Sequence, residues 1–202
     1  MQHPTRNAVT DRLRAFRPRT LPLPEGTRRA AVVLAIVDDG EELGLWITRR
    51  AARMRAHPGQ WAIPGGRLEA GETDVAAGLR ELGEELGVHL GEDAVLGRLD
   101  DYETRSGFVI TPVVAWAGRP AEPPVPNPAE VDELHLLTLD ALDVEPLFHE
   151  IPESDRPVVQ LPILDDLIHA PTAAILHQFR EVALHGRDTR VAEFEQPVFA
   201  WR

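Results

Sequence analysis

Residues Gly66 to Val88 read GRLEAGETDVAAGLRELGEELGV. Pro64-Gly65-Gly66 opens this stretch as a tight turn that residues with a Cβ would resist. Thr73 is placed to cap a helix N-terminus, and Asp74 adds negative charge where the helix dipole favours it. Val75, Leu79, Leu82 and Leu86 recur at helical spacing and predict one apolar stripe. Glu81, Glu84 and Glu85 lie at i, i+3 and i+4, so their carboxylates gather on the other side. Gly87 stands where a left-handed C-terminal cap is wanted. The prediction is a short helix buried along one side, with three acids converging on the other.

Clustered carboxylates repel one another, and a cation resolves the repulsion. An all-oxygen ligand set suits a hard divalent ion, Mg²⁺ or Mn²⁺, better than Zn²⁺. A run of Glu on a helix is ordinarily a solvated face, so spacing alone does not decide for a metal. The wider pattern does. The stretch fits G-x5-E-x7-R-E-U-x-E-E-x-G-U, with U an aliphatic residue, at Gly66, Glu72, Arg80, Glu81, Leu82, Glu84, Glu85, Gly87 and Val88. A random window would match on the order of once in 10⁹ tries at average residue usage, which leaves chance out.

That pattern resembles the signature of the Nudix hydrolases. The resemblance implies an α/β/α sandwich with a mixed sheet between helices, which is also what the alternation of strands and helices along the chain predicts. It implies a hydrolase that cuts a diphosphate linkage by water attack on phosphorus. Glu81, Glu84 and Glu85 would be catalytic and hold Mg²⁺ or Mn²⁺, Arg80 would orient the acids, and Glu72 would be its partner. The general base is left open among the helix glutamates and the downstream acids Glu130 and Glu133.

Substrate identity lies outside this box. Residues 46–66 read WITRRAARMRAHPGQWAIPGG. Thr48, Arg50, Ala51, Arg55, Gly59, Pro64, Gly65 and Gly66 fall in register with the segment preceding the box in coenzyme A pyrophosphatases of the Nudix family. Ser106-Gly107-Phe108, Thr111-Pro112-Val113-Val114 and Asn127 with Glu130-Val131 also resemble that subfamily. Ile63, Trp46-Ile47 and His169-Ala170 depart from it, and none of these touches the acids. The resemblance implies substrate contacts at Arg50, Arg55, Gly65 and Gly66. It implies products 4′-phosphopantetheine, or its acyl form, and adenosine 3′,5′-bisphosphate. Arg suits such a substrate because its fork of donors matches phosphate oxygens. Arg49 and Arg53 lie in the same loop without matching the register. His57 reads as a solvated loop residue, and Trp61, Tyr102 and Phe108 read as structural. The alternatives are a pyrophosphatase for another dinucleotide such as NADH or ADP-ribose, and a non-catalytic nucleotide sensor, which often lacks box acids that this chain retains.

Composition bounds the rest. A chain of 202 residues can bury a sizeable core. A net charge of −12 argues against a sequence-independent grip on nucleic acid. The absence of Cys rules out disulfides and thiolate chemistry. The longest apolar run, Ala30 to Val37, is too short to span a bilayer. A cytoplasmic protein acting on a small nucleotide is expected, with neither a nucleic acid nor a membrane partner. All 21 basic residues other than His are Arg, a compositional bias that strips Arg-richness itself of functional weight.

Along the chain, residues 1–29 form a lead-in, with a helix predicted at Asp11–Phe16 behind Thr10. Residues 30–190 form the Nudix domain. Ala30–Val37 and Leu43–Thr48 make a hairpin across Asp38-Asp39-Gly40. Strands follow at about 94–103 and 108–117, and Val131–Leu137 rejoins the same sheet after a proline-rich loop. Pro171–Leu184 predicts a second helix with Pro at its first position. No element is assigned between Leu137 and Pro171. The tail, residues 191–202, is left open between an edge strand and a contact in a homodimer.

Overall fold

The computed structural model describes residues 4–54 and 57–201. In chain order the elements are α1 (Arg6–Ala15), β1 (Arg28–Asp38), β2 (Leu43–Arg50), β3 (Trp61–Ala62), β4 (Gly65–Arg67) and α2 (Asp74–Leu86). Then come β5 (Val95–Arg98), β6 (Tyr102–Glu103), β7 (Phe108–Gly118), β8 (Val131–Thr138) and α3 (Leu139–Leu142). The last are β9 (Leu147–Ile151), β10 (Ser154–Ile163), β11 (Asp166–His169) and α4 (Thr172–Phe179). This is the expected mixed α/β architecture built on a large mixed sheet. Among the described residues, no helix is long and apolar enough to cross a membrane. The chain divides into two compact units: Ala30–Gly97 with Pro112–Leu139, and the remainder, comprising the residues up to Arg29, Arg98–Thr111 and those from Asp140 onward.

The first of these units carries the sheet, in the order β3-β2-β1-β7-β5, with β4 also on β1 and β8 also on β2. The hairpin of β1 and β2 pairs Ile36 with Leu45 and Asp38 with Leu43. Its turn closes as the sequence suggests: Asp38 accepts from the Gly40 N–H, and Asp39 from those of Glu41 and Glu42. The apolar run of β1 is buried almost throughout. Val33, Ala35 and Val37 pack with Trp46, Val113, Ala115 and Val131, and Leu82 and Leu86 of α2 join them. As predicted, Val131 onward rejoins the sheet, pairing along β2 from Gly44–Thr138 to Arg50–Val131.

Helix α2 begins and ends as its sequence demands. Thr73 accepts from the Ala76 N–H, and Gly87 sits at φ 68° with its N–H on the Gly83 carbonyl. The phase differs from prediction. The buried line runs through Ala77, Gly78, Leu82, Glu85 and Leu86, with Leu79 only partly buried. The reason is Gly78: a Cβ there would lie 2.6 Å from Val33 Cγ2. The missing side chain lets the helix face β1 along that line, which turns Glu85 inward and Glu84 outward.

In the other unit, α1 starts earlier than predicted. Thr5 is its cap, accepting from the Ala8 N–H, while Thr10 sits mid-helix with its hydroxyl donating to the Arg6 carbonyl. The strand expected over about 94–103 is interrupted at Leu99–Asp101. There Asp100 takes the Arg19 N–H and gives its own N–H to the Gln178 side chain, and Asp101 takes the Leu21 N–H and the Thr111 hydroxyl. Those bonds replace a ladder. Between Leu142 and Pro171 lies a three-stranded sheet, β11-β10-β9, in a region studded with prolines that disguise it. Pro157 is accommodated because the register slips between Ser154 and Val158, a bulge that spares the missing N–H.

Pro171 is the N-cap rather than the first residue of α4, and Arg180–Leu184 continue as a π-helical turn. That turn holds Arg180 and Glu181 inside, with Arg180 paired to Asp143, Glu145 and Glu181. Among the described residues the tail forms no edge strand. Its ladder is one parallel bridge, Val158 to Glu195, followed by a short 3-10 turn, Val198–Trp201. Glu195 is 1 % exposed and gathers Arg105, Arg156 and the Ser154 hydroxyl. Burial pushes its carboxyl up, but these partners and the Gln196 N–H prevail and hold it at about 2.

Candidate active site

Two neighbouring acids of the box point in different directions. Glu85 is 4 % exposed, a consequence of the Gly78-centred phase of α2. Glu84 has an exposed side chain and hands its carboxylate to Arg80 at 2.8 Å. Glu81 lies between these extremes.

What draws Glu81 inward is a hole on β4. Gly66 pairs with Ala31, and a Cβ built on it would collide with the Glu81 carboxylate. Gly65 pairs with Val32, and a Cβ there would strike the Ala31 carbonyl oxygen. The Gly65 N–H also favours the charged form of the Glu85 carboxyl. The two glycines therefore let the strand approach the acids, a role in seating Glu81 and Glu85 that the turn chemistry of Pro64-Gly65-Gly66 did not suggest.

Arg80 organises the outer acids. Its Nε donates to Glu72 at 3.0 Å, and Nη2 donates to Glu72 at 3.2 Å and to the Arg67 carbonyl at 3.0 Å. Nη1 donates to Glu81 at 3.0 Å and to Glu84 at 2.8 Å. All five guanidinium donors are thereby engaged. The Arg80 bonds hold the Glu72 carboxyl below its ordinary value, and the Glu72 bond leads those that raise Arg80. Arg80 cannot restrain Glu81 in the same way. Burial pushes that carboxyl up, with Glu84 and Glu130 pushing in the same direction.

The acids that converge are Glu81, Glu85 and Glu130, whose ligand-capable oxygens lie within 4.8 Å of one another. Glu130 arrives from the loop before β8 and was read from sequence only as a candidate base. Its further signal in the sequence is the resemblance of Asn127 with Glu130-Val131 to the coenzyme A subfamily. Glu133, the other downstream candidate base, pairs with Arg49 at 2.9 Å. Burial pushes the Glu85 carboxyl up to about 8, against the pull of Arg50 and with reinforcement from Glu81 and Glu130. Glu85 Oε2 is buried and, among the described residues, has no hydrogen-bond partner. A buried carboxylate oxygen left bare beside two more carboxylates is costly without a cation. Three oxygen donors of this kind fit Mg²⁺ or Mn²⁺.

The arginines upstream divide. Arg50 ends β2 within electrostatic reach of Glu85 and His57. Arg49 is spent on Glu133 and the Gly59 carbonyl, and Arg53 reaches the Ala129 carbonyl at 3.3 Å. Arg55 lies outside the described residues. Trp61 stands edge-on to His135 with the Arg49 guanidinium 6.0 Å from its ring centre.

Comparison with known proteins accords with this geometry. The NUDIX domain family matches residues 26–161. The chain is 41% identical over 88 residues to an uncharacterized Nudix hydrolase NudL of Enterobacter sp. (strain 638), a match covering 43% of this chain and 46% of that protein. It is 37% identical over 100 residues to the peroxisomal coenzyme A diphosphatase ndx-8 of Caenorhabditis elegans, covering 48% of this chain and 43% of that one. In both cases the match spans about half the relative's length or less. A MutT/nudix family protein from Enterococcus faecalis shares the fold at a TM-score of 0.53 and 18% identity, over 81% of this chain and 62% of that one. With the family matched over two thirds of its length and the box acids gathered as described, the chain belongs to the Nudix hydrolases.

Proposed function

We propose that the protein hydrolyses the diphosphate of coenzyme A or an acyl-coenzyme A, with Mg²⁺ or Mn²⁺ as cofactor. The observation that carries the hydrolytic reading is the bare, buried Oε2 of Glu85 beside Glu81 and Glu130. The coenzyme A reading is supported by the Thr48–Gly66 segment and by likeness to the nematode coenzyme A diphosphatase.

Glu81, Glu85 and Glu130 would hold the cation, with Glu84 at the rim. The cation would supply charge neutralisation for the diphosphate oxygens. Arg80 fixes Glu72, Glu81 and Glu84, so its part is positioning. Arg50, already within the field of Glu85, takes a phosphate oxygen next to the acids. Arg55 is assigned to the 3′-phosphate. Water adds to one phosphorus, the bridging P–O bond breaks, and the two phosphate products leave as 4′-phosphopantetheine (or its acyl form) and adenosine 3′,5′-bisphosphate.

The test is turnover of coenzyme A, dephospho-coenzyme A, NADH and ADP-ribose side by side, for the parent protein and for Arg50→Ala and Arg55→Ala. Arg50→Ala should depress coenzyme A and dephospho-coenzyme A together. Arg55→Ala should depress coenzyme A selectively, by roughly ten- to a hundred-fold in kcat/KM, as the loss of one charge-assisted contact implies. A preference for NADH or ADP-ribose in the parent protein would end the coenzyme A reading and leave only the family.

A further inference from the structure

Glu130 belongs to a loop, yet it meets two acids fixed on or beside a buried helix face, and something must hold it there. The loop hangs from the end of α2. The Val125 N–H donates to the Leu86 carbonyl at 2.8 Å, and the Asn127 N–H donates to the Glu85 carbonyl at 2.7 Å. Two of the carbonyls that a helix C-terminus leaves unsatisfied are thus taken by this loop, and one belongs to the residue carrying the bare carboxylate oxygen.

Asn127 then turns the chain. Its carbonyl accepts the Glu130 N–H at 3.0 Å and the Val131 N–H at 2.9 Å, and its side-chain oxygen accepts the Ala129 N–H at 3.0 Å. The turn is gripped again just past the end of β2, where Ala51 donates its N–H to the Glu130 carbonyl at 2.9 Å and Ala52 to the Asp132 carboxylate at 2.9 Å. Prolines at 126 and 128 flank Asn127 and restrict the backbone on either side. Every backbone bond of this set would survive replacement of the Asn127 side chain. The side-chain bond to Ala129 would not, and it reinforces the turn that the Asn127 carbonyl closes onto Glu130 and Val131.

We propose that Asn127 is a positioning residue for the cation: its side chain locks the turn that couples the Glu85 carbonyl to Glu130, so that Glu130 completes the ligand group. This rests on the reading of Glu81, Glu85 and Glu130 as cation ligands. Asn127 itself touches neither cation nor substrate.

The experiment is calorimetric titration of Mn²⁺ into the full chain, with no substrate present, for the parent protein and for Asn127→Ala, Asn127→Ser and Glu130→Gln. The double variant Asn127→Ala/Glu130→Gln completes the set, and a melting curve in EDTA accompanies each. Ser keeps a neutral acceptor for the Ala129 N–H. Asn127→Ala should weaken Mn²⁺ binding roughly three- to ten-fold, Asn127→Ser should restore most of it, and Asn127→Ala should add little once Glu130 is already Gln. Weakening by Glu130→Gln but not by Asn127→Ala would overturn the positioning role while sparing the ligand reading. So would a loss on Asn127→Ala that persists undiminished in the double variant, or one that merely tracks a lowered melting point. Unchanged Mn²⁺ affinity in Glu130→Gln would sink the ligand reading and the positioning role with it.

Discussion

Glu85→Gln should stabilise the metal-free protein, and by an amount that depends on pH. An unfolded glutamate ionises near its ordinary 4.5, whereas folded Glu85 does so at about 8. Between those values the folded chain binds more protons than the unfolded one, so stability falls as pH rises. The penalty is absent below 4.5, grows up to about 8 and then levels off. At about 1.4 kcal/mol per pH unit, it reaches about 3 kcal/mol at pH 7 and less than about 1 at pH 5. The amide escapes it. For a chain of this size a kcal/mol moves Tm by about 2–4 °C, so Glu85→Gln should melt about 6–12 °C higher than the parent at pH 7 in EDTA. At pH 5 the two should nearly coincide. Scanning fluorimetry from pH 5 to 9 reads this directly. Saturating Mn²⁺ should then raise the parent and barely move the variant, because a ligand stabilises only the form that binds it. A Tm difference that stays constant across the pH range would refute the argument, since removing the Glu85 ionisation from this acid group must change the slope.

Other consequences follow from packing. Leu82→Ala, at a site with no exposed surface, should cost about 2–5 kcal/mol in chemical denaturation; an unchanged midpoint would mean that α2 is phased otherwise. Gly66→Ala should drive a methyl into the Glu81 carboxylate, weakening Mn²⁺ binding in calorimetry far more than it lowers Tm; equal losses in both would point to a general strand defect. Glu195→Gln should destabilise the tail-bearing unit by at most about 3 kcal/mol, the interval between 4.5 and about 2 at about 1.4 kcal/mol per pH unit. That loss should be full above pH 4.5 and fade as acidification approaches 2; a loss that grows on acidification would contradict the buried ion cluster.

Local signals in the sequence were legible where one residue type had one structural use. Thr73, Gly87 and Asp38-Asp39 each act within a few residues of themselves, and the structure places them as read. Signals went astray where a distant partner decided. Thr10 looked like a cap, but any threonine can satisfy its hydroxyl on the preceding turn, and only the chain before it reveals Thr5. Hydrophobic spacing in α2 could not reveal that Gly78 is a contact surface, and so it misplaced Leu79 and gave no reason to separate Glu84 from Glu85. Asp100 and Asp101 cut a strand in two through bonds to segments some eighty residues away. Glu130 meets Glu81 and Glu85 through loop bonds that no periodicity encodes.

The saturation of Arg80 has a bearing on which positions of the motif can vary. One side chain with no donor to spare makes Glu72, Glu81 and Glu84 answer to a common residue, so that a change at any of them leaves an N–H without an acceptor. The remaining bond goes to the carbonyl of residue 67, which every amino acid supplies. The written pattern mirrors that division of labour: it names an acid at 72, 81 and 84, names the arginine at 80, and accepts anything at 67.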